Sequence, residues 1–259
     1  MLRLQGTPAS RLYRHPDPSL QKQLGVSYLM ADRPGYGGST RLPHRGIAQF
    51  AGDLAALLDA HGLERVPVMG TSGGGPHALA FAALQPERTA AASVVVGGAP
   101  LEPDEASQLV GVNAAGYLAS EKGWDALFEL LRDVRERLLG PEGMAGVLSD
   151  APAKDREIMS NPVWQRMNRA NTNEALKQGA EGWTDESMAF HREWDFDPST
   201  IDATVTWWHG DDDRNVPLSA ARRVADRIPR VKLNVWHDEG HFASLVHERE
   251  IVQELLGRA

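Results

Sequence analysis

The chain has 259 residues, enough for one domain with a buried core, so a single fold with an insertion is expected. A composition of 42% hydrophobic and 24% charged residues excludes the disordered, collagen-like and disulfide-rich classes. A formal charge of -8 argues against a nucleic-acid partner, and the lack of cysteine excludes a disulfide framework or a thiolate metal site. No apolar run approaches the ~20 residues of a membrane span, and Met1 to Gly6 lacks the basic-then-apolar pattern of a secretory signal. No membrane partner and a cytoplasmic location are therefore expected.

In chain order, a short strand at Leu2 to Leu4 leads into Gln5-Gly6-Thr7-Pro8. An apolar strand is predicted at Val26 to Ala31. Ile47, Phe50, Ala51, Leu54, Leu57 and Leu58 then recur at helical spacing, in a helix ended by Gly62. Strands follow at Val66 to Met69, with an alanine-rich helix after it, and at Ala92 to Val96. From about Leu101 to Pro198 the rhythm changes to helix-like stretches such as Trp124 to Leu139. Strands return at Val205 to Trp208 and Val231 to Trp236, and a last helix lies near Ala243 to Leu256. Short apolar runs alternating with helices predict an α/β fold, a mostly parallel sheet covered on both faces. Residues 1–100 and 199–259 would form its core and 101–198 a helical cap over the sheet.

Gly70-Thr71-Ser72-Gly73-Gly74 is a G-x-S-x-G pattern at the junction of a predicted strand and helix. A sharp strand-to-helix turn demands small residues two positions either side of the serine, and Gly70 and Gly74 meet that demand. Such a turn lifts the Ser72 hydroxyl above the strand ends and aims the Gly73 amide at a developing oxyanion. A phosphate-binding turn is the competing reading. No Lys-Ser/Thr pair follows these glycines, and Gly35-Tyr36-Gly37 runs on to Thr40 where a dinucleotide fingerprint needs a third glycine.

A serine nucleophile needs a base, and a histidine oriented by a carboxylate supplies one. Two strand ends offer candidates: Asp211, Asp212 and Asp213 after Val205 to Trp208, and His237 and His241 after Val231 to Trp236. His209, Asp211, Asp213, His237 and His241 form an alternative zinc-ligand set. His237 and His241 stand four apart, which converges on a metal only along a helix, and Gly240 in a predicted loop argues against one.

Four patterns in order carry a family resemblance: Asp32-Arg33-Pro34-Gly35-Tyr36-Gly37-Gly38-Ser39, the serine turn, Gly210 to Pro217 as G-x-x-D-x-x-V-P, and Gly240-His241-Phe242. Together they resemble the α/β-hydrolase superfamily over nearly the whole chain outside the insertion. The resemblance implies Ser72 as nucleophile, Asp213 as acid with Asp212 the alternative, and His241 as base in preference to His237. Gln5-Gly6-Thr7-Pro8 resembles the family's H-G-x-P loop, with Gln5 in the histidine position, and implies the Thr7 amide as the second oxyanion donor beside Gly73. Asp32 and Arg33 are implied to form a structural turn, Tyr36 is within reach of the pocket, and His77 is expected to pack or hydrogen-bond. Of Trp124, Trp164, Trp183 and Trp194 in the insertion, one or two are expected to line the pocket.

The implied chemistry is hydrolysis of a small-molecule ester, thioester or lactone through an acyl-enzyme, with no cofactor and no metal. Amide, prolyl-peptide and carbon–carbon hydrolysis and perhydrolysis use the same groups and remain alternatives, as does a non-catalytic binding relative. A base near its ordinary pKa of ~6.5 would lose activity as pH falls through roughly 6 to 7. Family members usually carry two strands ahead of the one entering the oxyanion loop, and here only Met1 to Leu4 precede Gln5. Those N-terminal strands are expected to be missing, with Val26 to Ala31 left as a sheet edge that favours a homo-oligomer unless another segment covers it. Arg3, in a strand expected to be apolar, implies that this end is weakly held or differently registered.

Overall fold

Five parallel strands form one sheet in the order β1 (Leu2–Leu4), β2 (Val66–Thr71), β3 (Thr89–Val95), β4 (Val205–Gly210) and β5 (Val231–Trp236). The computed structural model describes residues 1–257. Val68 stands opposite Ala92, Val94 opposite Trp207, and Trp207 opposite Leu233. Successive strand residues face opposite sides, and both sides are apolar. Val68, Val94 and Trp207 pack with Leu54, Leu79, Phe81 and Val224 from helices Gln49–Ala60, Gly74–Leu84 and Leu218–Ala225. Their neighbours Met69, Val95 and Trp208 pack with Ile251 and Leu255 of helix Glu248–Leu256 on the other face.

Val26 to Ala31 departs from expectation, because it is not a strand and makes only a single parallel bridge, Leu29 to Leu2. The Arg3 amide donates to Leu29 O (3.0 Å) and the Leu29 amide to Met1 O (2.9 Å). The ladder does not continue to Ala31, whose carbonyl accepts from the Gln5 side chain (Nε2, 2.8 Å) in place of a backbone amide. Arg3 also differs from the expected weak point. Its buried guanidinium pairs with Glu248 at 3.0 Å, between the rings of Tyr13 and Tyr28. This pair ties β1 to the start of the last helix.

Between β3 and β4 the chain runs through helices from Pro103 to Phe190, with no strand among the described residues. Helix Trp124–Leu139 buries the stripe Leu127, Leu131, Val134 and Leu138, spaced at three and four residues, against Trp183 and Ala175. Ion pairs latch this layer to the rest: Arg223 to Glu105 and Arg41 to Asp185, each at 2.6 Å. No helix among the described residues is long and apolar enough to cross a membrane.

Candidate active site

Ser72 stands at the end of β2 with φ 52°, in the left-handed region that side chains normally avoid. The glycines around it make that turn possible. A Cβ at Gly70 would strike the Gly74 carbonyl, and one at Gly74 would strike the Leu4 carbonyl. Three hydrogen bonds fix the strained residue: the Ser72 amide donates to Val95 O at 2.9 Å, and Ser72 O accepts from Gly75 (2.8 Å) and Gly98 (3.0 Å).

His241 follows β5 and its Nε2 lies 2.9 Å from Ser72 Oγ. Its Nδ1 lies 2.7 Å from Asp213 Oδ2, while Asp213 Oδ1 accepts from the amides of Asn215 (2.8 Å) and Val216 (2.9 Å). Burial works against the Asp213 charge, but His241, the hydrogen bonds and His209 outweigh it, and the Asp213 pKa is lowered. An ionised Asp213 only accepts, so Nδ1 carries the proton and neutral Nε2 is free to accept from Ser72. Burial disfavours a charged His241, yet Asp213 and a second carboxylate, Asp155, outweigh it and raise its pKa above 6.5. His209, fully buried behind Asp213, accepts from Trp207 Nε1 (3.2 Å) and so presents its Nε2 proton to Val216 O (2.9 Å), with Asp213 Oδ2 at 3.4 Å.

The other candidates lie elsewhere. His237 is 84% exposed and bonds Asp211 at 2.9 Å. Asp212 pairs with Arg214 at 3.0 Å at the surface. No group of three His, Asp or Glu side chains converges as a metal-ligand set among the described residues.

Thr7 and Gly73 adjoin across the site, so closely that a Cβ on Gly73 would fall on the Thr7 side chain. No hydrogen bond among the described residues uses either amide. The Thr7 loop is held from below by Arg33, whose guanidinium donates to Gln5 O (2.5 Å), Gly6 O (2.8 Å) and Thr7 Oγ1 (2.8 Å). Arg33 is in turn paired with Glu186 of helix Glu181–Phe190 at 2.6 Å. Glu186 is fully buried and also accepts from Thr7 Oγ1 (2.6 Å), Tyr36 OH (2.9 Å) and Arg45 Nη2 (2.8 Å). Burial opposes its charge, but Arg33 and Arg45 prevail and hold its pKa well below 4.5. His77 lies 3.1 Å from Glu186, and burial pulls it down to about 4.

Above Ser72 opens a cavity of about 290 Å³, walled by the insertion through residues such as Leu127, Leu131, Val134, Trp183 and Phe190. Among the described residues that line it there is no lysine or arginine.

A family model of the alpha/beta hydrolase fold matches residues 1–248. The chain belongs to the α/β-hydrolase family. A 2-hydroxy-6-oxononadienedioate/2-hydroxy-6-oxononatrienedioate hydrolase of Paraburkholderia phymatum is 30% identical over 239 residues, covering 90% of this chain and 76% of that protein. Among solved structures, the enol-lactonase of Burkholderia xenovorans superposes with a TM-score of 0.71 at 16% identity, covering 99% of this chain and 89% of that one. A thermophilic esterase of Thermogutta terrifontis gives 0.66 at 19%, covering 99% and 87%.

In this α/β hydrolase the expected accessory residues sort clearly. Trp183 lines the cavity; Trp124, Trp164 and Trp194 do not. Tyr36 does not reach it either and is spent on Glu186. Gln5 anchors its loop by donating to Ala31 O. Asp32 is structural, accepting from the amides of Arg11 (2.7 Å) and Gly38 (3.0 Å). Sequence reasoning missed Glu186, Asp155 and the place of His209 behind the acid. The signal for Glu186 was an acidic pair, Asp185-Glu186, in mid-helix, where the residues after Glu181 are otherwise small or apolar.

Proposed function

We propose that this hydrolase is a serine enzyme that cleaves neutral carboxylic esters of small molecules through an acyl-enzyme. The observation that carries the reading is the chain of contacts from Ser72 Oγ to His241 Nε2 (2.9 Å) and from His241 Nδ1 to Asp213 (2.7 Å), with the serine held at φ 52°. His241 takes the Ser72 proton as Oγ attacks the ester carbonyl. The amides of Thr7 and Gly73, the latter at the start of helix Gly74–Leu84, hold the oxyanion. The C–O bond then breaks, the imidazolium returns its proton to the leaving alkoxide, and a water activated by the same histidine releases the acid from Ser72.

The substrate class rests on the cavity walls. A carboxylate entering this mostly apolar chamber would meet no lysine or arginine to balance its charge, and Asp150 on the wall would oppose it. A neutral acyl group loses nothing by it. Carbon–carbon hydrolysis is the second reading, favoured by the name of the relative at 30% identity, whose dioate substrates carry two carboxylates.

A panel of p-nitrophenyl esters, a lactone, an anilide and a 2-hydroxy-6-oxo dienoate, run on wild type and Ser72→Ala, tests both. The expected result is ester turnover in wild type, lost in Ser72→Ala. A dienoate turned over with higher kcat/KM than every ester would favour the second reading.

A further inference from the structure

The insertion reaches the catalytic histidine by a route that bypasses the imidazole. Helix Ala153–Ser160 carries Asp155, which is 1% exposed. Its Oδ2 accepts from the His241 amide at 3.0 Å and its Oδ1 from the Phe242 amide at 2.9 Å. A Cβ on Gly240 would fall on this carboxylate, so the glycine before the histidine is what lets the loop close onto it. The base of the loop is tied to the loop after β4, where the Asp212 amide donates to Glu239 O at 3.0 Å. Its tip is tied to the insertion.

We propose that Asp155 is a positioning residue for His241, holding the histidine loop in the register that keeps Nε2 on Ser72. The proposal rests on the serine-hydrolase reading above. The adjacent amides of His241, buried, and Phe242, part-buried, need two acceptors, and one carboxylate in fixed geometry meets both. A displacement of about 1 Å in a catalytic group costs on the order of 100-fold in rate, so a grip on the backbone beside the ring governs reactivity as directly as a grip on the ring.

The charge acts as well as the shape. His241 is faced by Asp213 from the loop after β4, by Asp155 from the insertion and by the Ser72 hydroxyl. His209 stands behind Asp213, and Lys154 pairs with Glu239 at 3.7 Å at the surface beside them. Asp155 adds to the field that raises the His241 pKa.

The test is the rate at which a fluorophosphonate labels Ser72 in the full chain, measured across pH for wild type, Asp155→Asn and Asp155→Ala, with thermal melting alongside. Asparagine keeps the shape and one acceptor but turns an N–H₂ donor toward an amide donor and removes the charge. The expected plateau rate falls about 10-fold in Asp155→Asn and about 100-fold in Asp155→Ala. The midpoint of the Asp155→Asn profile moves to lower pH. A folded Asp155→Asn with the wild-type plateau and midpoint would overturn the positioning role alone. A wild type that does not react would overturn the hydrolase reading, and this one with it. Hydrogen exchange on the wild type needs no variant: slow His241 and Phe242 amides support the grip, and exchange as fast as an open loop contradicts it.

Discussion

Two buried carboxylates meet His241 from different regions of the molecule, and their surroundings move them in opposite directions. Asp213, on the loop after β4, has its pKa lowered, because His241 and two backbone amides outweigh its burial. Asp155, from the insertion, has its pKa raised, because burial and the nearby Asp213 charge outweigh two amides and His241. The difference separates an ionic partner from a backbone clasp. Asp213 gains from being charged beside the His241 ring, whereas Asp155 holds its place at a cost to its own ionisation. Glu186, also from the insertion, behaves like Asp213 instead: Arg33 and Arg45 outweigh its burial and keep it charged beneath the Thr7 loop.

The largest effect separates the reacting groups from those that hold them. Ser72→Ala and His241→Ala should each lower kcat for an ester by on the order of 10⁴-fold or more, and Asp213→Asn somewhat less, with melting unchanged. A mild Asp213→Asn beside a crippling Asp212→Asn would move the acid.

Next comes Glu186→Ala, which strands two buried guanidiniums and should cost about 3–5 kcal/mol in urea unfolding. Its folded pKa is depressed, so the contribution is present above pH 4.5 and is lost as pH falls through the lower folded value. The gap between wild type and Glu186→Gln should therefore shrink in acid. A constant gap would mean that Glu186 is packed rather than paired.

A smaller effect sharpens the comparison at His241 itself. Its raised pKa moves the acid limb of kcat/KM above 6.5, higher than an unperturbed histidine would give. A midpoint at or below 6.5 would contradict the balance of burial and carboxylates drawn here. The smallest effect is expected from His237→Ala. At 84% exposure, paired only with Asp211, it should change turnover less than about twofold and stability by less than about 0.5 kcal/mol.

Where a local pattern sufficed, the sequence was legible. β5 and helix Trp124–Leu139 fall on the residues that periodicity marks, and the glycines around Ser72 announce the turn that strains it. The strand expected at Val26 to Ala31 is reduced to a single bridge, and the partner that takes the Ala31 carbonyl, the Gln5 amide, is one no local pattern reveals. Arg3 read as a misfit because Glu248, its partner, lies 245 residues away. Asp155 and Glu186 were hidden for the same reason, standing 86 residues from His241 and 153 from Arg33. Pro152-Ala153-Lys154-Asp155-Arg156 reads as an ordinary solvated helix start. Only the fold brings its one buried carboxylate to the histidine loop.

The central claim is that Ser72 is an activated nucleophile, and peptide mapping after fluorophosphonate treatment tests it most directly. The account predicts one adduct per chain, on the peptide carrying Ser72, absent from His241→Ala under the same conditions. An unmodified chain, or an adduct that survives Ser72→Ala, would contradict it.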